Sequence, residues 1–259
     1  MNDKSRAATG RSKETFNLGK WTEKELGHLI RVWARIQTSS ERIEVISEQF
    51  LGVGYRESTL VGDMARAEIL VVNLERVDCF TFIDYVEAMR LSRSFGGFKK
   101  NLVKVRYQCG KVSYLTRNHF FSDWSEFNEK SVADVTGQVG GRAAQRAAKT
   151  LNIRKDGTRL LEGIAPRSRE ITYVPAGCVD DMVLARLRAG DYAGIYTDEA
   201  GLDVSHVGII INDRGRIALR HASSLQANRR VVDCGLKDYL ADKPGLVVLR
   251  PKELRQNDE

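Results

Sequence analysis

Cys79, His206 and His221 are the residues of this sequence whose types and spacing could do nucleophilic chemistry. Cys79 lies in "LERVDCFTFIDYVEAM", residues 74–89, which reads as a strand end, a turn at Asp78 and a helix beginning at the cysteine. Unpaired amide N–H groups and the macrodipole at a helix N-terminus stabilise a thiolate, the nucleophilic form of the side chain. Such a nucleophile needs a base, normally histidine, and a third group that holds the base in its working tautomer. The competing reading is equally concrete. Cys79 continues the apolar face of Phe82, Ile83, Val86 and Met89, and cysteine is among the residue types most often buried in a core.

Two of the four histidines bracket one hairpin, "HVGIIINDRGRIALRHASS". A turn over Asn212–Gly215, or a two-residue loop at Asp213-Arg214, sets His206 directly opposite His221. Directly paired residues share a face of the sheet, with Cβ atoms roughly 4.5–5.5 Å apart, so one imidazole could orient the other. A three-residue loop would slip the register by one and send the rings to opposite faces. Val207, Ile209, Ile210 and Ile211 mark the strand as buried, and buried paired histidines lean towards function.

The elements that must position these groups follow from periodicity. "WTEKELGHLIRVWARIQ" puts Leu26, Leu29, Ile30, Trp33 and Ile36 on one helical face behind a Thr22 cap, with His28 off that face and solvated. "SSERIEVISEQFLGVGY" repeats the pattern after a Ser40 cap and stops at Gly52 and Gly54. "EILVVNL" is a short strand leading to the cysteine motif, and the helix behind Cys79 is expected to run to about residue 94, ended by Gly96-Gly97. "LVKVRYQCGKVSYLTRNHFFSDW" alternates apolar and polar residues around Gly110, which predicts a hairpin with Cys109 beside its turn, then an aromatic-rich loop. A helix at 142–150, a basic loop at 154–170, a helix near 179–189 closed by Gly190 and a last strand "GLVVLRP" complete the reading.

The 259 residues, 42% hydrophobic and 29% charged, suffice for a proper core. The formal net charge of +7 favours anionic partners. Lys and Arg are nevertheless spread along the chain without the aromatic-basic signature of an RNA-binding sheet, so nucleic acid is not the expected partner. No apolar run approaches the roughly 20 residues that span a bilayer, and the basic opening lacks the apolar core of a signal peptide. Membrane insertion is therefore not expected. A cytoplasmic location is expected unless a leader has been removed, in which case it is the bacterial envelope or periplasm. The four cysteines form no Cys-x-x-Cys pair, and no His-Glu-x-x-His or comparable cluster suggests zinc.

"VDCFTFIDYV" resembles the Asp-Cys helix start of the NlpC-type papain-like cell-wall hydrolases, and "GDYAGIYT…SHVGIIIND…IALRHASS" resembles their Gly-Asp turn, His-Val-Gly strand and following histidine strand, in the same order. "TRNHFFSDW", residues 116–124, is similar to the N-acetylmuramoyl-L-alanine amidase-like branch. The resemblance spans roughly residues 22 to 250. It implies Cys79 as nucleophile, His206 as general base held as an ion pair with the thiolate, and His221 as orienting residue. It implies hydrolysis of the amide between N-acetylmuramic acid and L-alanine in peptidoglycan or muropeptides, without metal or cofactor. Asn118, His119 and Trp124 in the insertion, with Asp78, Ser205 and Arg220 flanking the motifs, are assigned to substrate contact; Arg117 and Arg220 could meet stem-peptide carboxylates. The alternatives are a stem-peptide endopeptidase with the same triad, an acyl hydrolase or transferase acting on lipids, and a non-catalytic muropeptide-binding module. The expected architecture is α+β and papain-like, the nucleophile helix packed on an antiparallel sheet. It is one monomeric domain over 21–254 with an insertion at about 95–200, flanked by a flexible basic tail (1–20) and a polar tail (255–259).

Overall fold

The computed structural model describes residues 14–213 and 215–254. The expected polar tail at 255–259 lies outside the described residues, as does most of the expected basic tail. The chain opens with β1 (Glu14–Asn17), α1 (Glu23–Trp33), α2 (Ser39–Glu48), β2 (Gly54–Tyr55), β3 (Leu70–Asn73) and β4 (Arg76–Val77). Next come α3 (Cys79–Arg90), α4 (Phe95–Arg106), α5 (Phe121–Phe127), β5 (Val132–Asp134) and α6 (Thr136–Gly140). The C-terminal half holds β6 (Gln145–Leu151), β7 (Arg167–Pro175), α7 (Asp181–Leu184), β8 (Tyr192–Tyr196), β9 (Val204–Asp213), β10 (Arg216–Ala222), β11 (Val231–Gly235), α8 (Leu236–Leu240) and β12 (Gly245–Pro251).

An antiparallel eight-stranded sheet organises the molecule, in the order β11-β10-β9-β8-β12-β7-β6, with β5 pairing the far end of β12. Period-two alternation along its central strands divides the core in two. Val207, Ile209, Ile211, Tyr192 and Val247 pack with Phe82, Ile83 and Val86 of α3 and with Phe98 and Leu102 of α4. Ile210, Leu219, Ala193, Ile195 and Val248 face the other way, against Val139, Val183, Leu236 and Leu240. The sheet is therefore covered on both faces, and α3 covers one of them.

Local signals place the N-terminal helices. Thr22 caps α1 in a capping box with Glu25, and Leu26, Ile30 and Trp33 are buried while His28 is exposed. α2 is capped by Thr38, not by Ser40 as expected; the Ser40 hydroxyl instead donates to the Ala189 carbonyl. Residues 14–17, expected in the tail, form a strand parallel to β3, held by Lys99 on Glu14 at 2.8 Å and by Phe16 against Phe95.

Three expectations fail where long-range packing outweighs local pattern. Gly96 and Gly97 do not end the cysteine helix; they sit in the first turn of α4, where the Ser94 hydroxyl accepts from the Gly97 N–H. The stretch from Leu102 to Arg106, read as a strand, is the end of that helix, because Phe98, Leu102 and Val105 repeat at helical spacing onto α3. Gln145–Leu151, rich in helix formers, is strand β6, paired along its whole length with residues 167–173 of β7, so the expected helix at 142–150 and only the last four residues of the expected basic loop enter a β-ribbon. Helix propensity is worth only tenths of a kcal/mol per residue and yields to a complete partner strand. The expected helix at 179–189 is the four-residue α7, and Gly190 behind it takes the left-handed conformation, φ +83°.

Candidate active site

The start of α3 is set by Asp78, whose carboxylate accepts from the Thr81 N–H at 2.7 Å and the Thr81 hydroxyl at 2.9 Å. The Phe82 N–H takes the Asp78 carbonyl. The first-turn N–H groups of Cys79 and Phe80 are left, and together with the N–H of Val207 in β9 they favour the Cys79 thiolate. Burial, and then the Asp78 carboxylate, nevertheless push the thiol up to about 12, the three N–H groups offsetting only part of this. The half-buried sulfur thus lies against the backbone next to His206.

The hairpin register differs from expectation. Asp213 pairs with Arg216 and Ile209 with Arg220, so two residues close the turn, one of them Gly215 at φ +88°. Continuing the register sets His221 across from Gly208, and His206 is offset from His221 by two residues instead of lying opposite it. An even offset keeps both rings on one face. His206 Nε2 lies 2.8 Å from His221 Nδ1, with the rings edge to face at 4.9 Å. Gly208 makes room for this diagonal contact, because a Cβ there would stand 2.8 Å from the Arg220 carbonyl oxygen and 3.0 Å from the His221 Cβ. Gly208→Ala is expected to lose most of the activity and about 1–3 kcal/mol of stability; urea unfolding and a hydrolysis assay check both.

By the same alternation the imidazoles share the face of Ile210 and Leu219, which is not the face covered by the body of α3. The ladder between β9 and β10 ends at Ile209 and Arg220, and Cys79 meets β9 just beyond it, at Val207. Tyr239 of α8 closes the histidine side, with its ring 4.9 Å from His221 and 6.0 Å from His206. Burial raises the Tyr239 phenol to about 12, with Cys234 and Cys79 adding to the rise.

Burial lowers His206 to about 3, with His221 and Lys243 adding to the shift, and lowers His221 to about 4 against the opposing Asp233. Both imidazoles are neutral at neutral pH, and so is the thiol. Burial thus disfavours the charged forms of the thiol and of both imidazoles, so these shifts lend the expected standing ion pair no support.

The remaining residues expected to touch substrate are mostly committed elsewhere. Asp78 is the helix cap. Trp124 is fully buried, its indole N–H on Asp84 at 3.1 Å and its ring against Phe121 and Tyr192. Asn118 is buried with its amide on the Val105 carbonyl. Arg220 is buried in a two-pronged pair with Asp233, both bonds at 2.7 Å, and Arg117 is paired with Glu68. "TRNHFFSDW" anchors α5 to the core, with Phe120, Phe121 and Trp124 buried, while Phe121 and Ser122 also line a cavity beside β7. His119 is half-buried, its Nε2 on the Tyr114 carbonyl at 2.8 Å, and Ser205 is exposed at the head of β9. Tyr55 and Cys234, absent from the sequence reading, belong to the site. Tyr55 is raised by burial and then by Cys79 and Asp78, and Cys234 lies 3.6 Å from His221 Nε2. The parity of "VVDCG" against "IALRHA" could have singled out Cys234, had its strand pairing been known.

A cavity of about 230 Å³ lies between α5 and β7, lined by Phe121, Ser122, Arg169, Asp203 and Val204 among others. It touches the head of β9, but neither Cys79 nor a histidine lines it. Among the described residues no group of three or more His, Cys, Asp or Glu is arranged to hold a metal ion. Nor is any helix among the described residues long and apolar enough to cross a membrane.

Three buried neutral histidines have a consequence for stability. Burial lowers His119 to about 4, as it lowers His206 and His221. An unfolded histidine titrates near 6.5, so between about pH 6.5 and 4 the unfolded chain binds protons that the folded one refuses. Stability is then full above this window and falls with pH inside it. The fall is at most about 1.4 kcal/mol per pH unit for each such group, and less for the partly exposed His119 and His206. Denaturant unfolding at pH 7.5 and pH 5 measures the drop, and His119→Gln is expected to make it shallower.

The family model described as AmiA-like, N-acetylmuramoyl-L-alanine amidase-like, matches residues 45–246. Crystal structures of an N-acetylmuramoyl-L-alanine amidase from Bacteroides uniformis are 28% identical; one, with a TM-score of 0.72, covers 83% of this chain and 99% of its own. A protein from Legionella pneumophila shares the fold with a TM-score of 0.75 at 24% identity, over 90% of this chain and 96% of that one. No curated protein matches the sequence.

Proposed function

Because this chain belongs to the AmiA-like family, N-acetylmuramoyl-L-alanine amidase-like by description, we propose that it is a cysteine-dependent hydrolase of the amide between N-acetylmuramic acid and L-alanine in muropeptides. The observation that carries this reading is the meeting of three groups: a thiol on the first residue of a capped helix, backbone N–H groups that favour its thiolate, and a histidine pair on the neighbouring strands β9 and β10. A helix that begins at the nucleophile and an antiparallel sheet that carries base and orienter are also the reasons for reading the fold as papain-like.

The mechanism follows from the neutral resting pair. His206 Nε2 is engaged by His221, so Nδ1 is the nitrogen free to take the thiol proton as the sulfur attacks the lactyl carbonyl. Delaying proton transfer to the moment of attack is what a site that penalises both charges requires. As the sulfur bonds to carbon, the N–H groups of Cys79 and Phe80 are released to meet the oxyanion, whose charge the helix N-terminus also favours. The imidazolium of His206 then protonates the leaving L-alanine amine. Water, deprotonated by the regenerated imidazole, hydrolyses the thioester and restores the thiol.

The test is to digest purified muropeptides and weigh the products. A free lactyl carboxylate on N-acetylmuramic acid, together with an intact stem peptide beginning at L-alanine, is the expected pair. A stem split internally would mean an endopeptidase, and no release by folded protein would mean a binding module.

A further inference from the structure

Cys234, on β11, has no part in the chemistry described above, yet it ends a chain of polar contacts that begins at the base. Its sulfur lies 3.6 Å from the carbonyl oxygen of Leu219, its partner across β10 and β11, and 3.6 Å from His221 Nε2. His221 Nδ1 in turn faces His206 Nε2 at 2.8 Å.

Two neutral imidazoles in series can be protonated in either of two directions. In one, both carry the proton on Nε2 and His206 Nδ1 presents a lone pair to the thiol. In the other, both carry it on Nδ1, and the nitrogen facing the thiol already holds a proton, so it cannot act as base. Something outside the pair must choose. The Leu219 carbonyl can only accept, so the S–H of Cys234 is turned to it. That leaves a sulfur lone pair for His221 Nε2, which must therefore be the N–H nitrogen. His221 Nδ1 then accepts from the Nε2–H of His206, and His206 Nδ1 is left bare.

We propose that Cys234 is a positioning residue that fixes the tautomers of both histidines, and so keeps the proton-accepting nitrogen of the base free. The proposal rests on the reading of His206 as base. Among the described residues no other neighbour fills this role. The Asp233 carboxylate, next in the chain, is held by both prongs of Arg220. Tyr239 of α8 offers His221 only its ring, and Lys243, which lowers His206 through its charge, lies 5.9 Å from the centre of that ring. Burial keeps Cys234 a thiol, raised to about 11.

The first measurement needs no substitution: nitrogen-15 shifts of labelled histidines in the wild-type protein report which ring nitrogen carries the proton. Nε2–H in both His206 and His221 is expected; Nδ1–H in His221 overturns the proposal. Cys234→Val, close in volume but without donor or acceptor, is then expected to give His221 mixed tautomers and to lower kcat about tenfold at unchanged KM, the size of one hydrogen bond. Cys234→Ser, whose hydroxyl can both donate and accept, is expected to restore the single tautomer and most of the rate. A Cys234→Val protein with wild-type tautomers and kcat, or a Cys234→Ser protein no better than the valine variant, overturns the role. The shifts are read without substrate, so the two readings fail separately. A wild type with Nε2–H in both rings but no release from muropeptides sinks the amidase reading and leaves the tautomer assignment standing.

Discussion

Cys79→Ala is expected to leave a folded protein whose kcat/KM on muropeptides is down by about 10⁴-fold or more. Removing the nucleophile of a triad removes nearly all the covalent catalysis, and what survives comes from oxyanion donors and binding alone. The structure makes this variant a clean test. α3 is started by the Asp78 carboxylate and not by the cysteine, and the buried face of the helix is held by Phe82, Ile83, Val86 and Met89. Its urea midpoint should therefore stay near wild type while product release disappears. Release at the wild-type rate would eliminate thiol chemistry and with it the proposed mechanism.

The largest stability effect is expected at the far end of the same helix. Arg90 is fully buried and spends all its donors: Nε and Nη2 on Glu87 at 2.7 Å, Nη1 on the Ser39 hydroxyl and the Lys252 carbonyl, and Nη2 also on the Ser131 carbonyl. Tyr192 of β8 donates to the same Glu87 at 2.7 Å. One guanidinium thus ties α3 to α2, to the segment entering β5 and to the chain after β12. Arg90→Met would strand the Glu87 carboxylate in the core, an error that costs about 3–5 kcal/mol. The double variant Arg90→Met, Glu87→Leu should recover part of that loss, because an absent ion pair is less harmful than half of one. Urea unfolding of both variants measures this, and a loss below about 1 kcal/mol for Arg90→Met would refute it. Whatever fraction stays folded should remain active, since Cys79 sits three turns away.

Signals that act within a few residues were legible in advance. The Asp78 cap, the helix beginning at Cys79 and the Thr22 cap each follow from groups three residues apart that satisfy one another whatever surrounds them. Rules of parity were legible too, since any even offset in the hairpin keeps His206 and His221 on one face. The offset itself was not. It depends on a diagonal contact that only a glycine at position 208 admits, and nothing local to the turn reveals it. Polar types offered no guide to roles in the insertion or beside the second histidine. Asn118, Trp124 and Arg220 carry hydrogen-bonding groups suited to a cleft, and each spends them on a carbonyl or carboxylate brought up by another element.

The sequence by itself thus determined which residues could react and the local frames that present them, because caps, helix starts and strand parity are settled within one turn of chain. Only the tertiary structure decided where those frames meet. It turned Gln145–Leu151 into a strand by supplying partners 16 to 28 residues away, and it brought Cys79 to Val207 across 128 positions of sequence. It also set Cys234 behind His221, through a pairing of β10 with β11 that buries both. Contacts of that range form only when the whole sheet and both of its cores assemble, and their free energy belongs to the assembled fold.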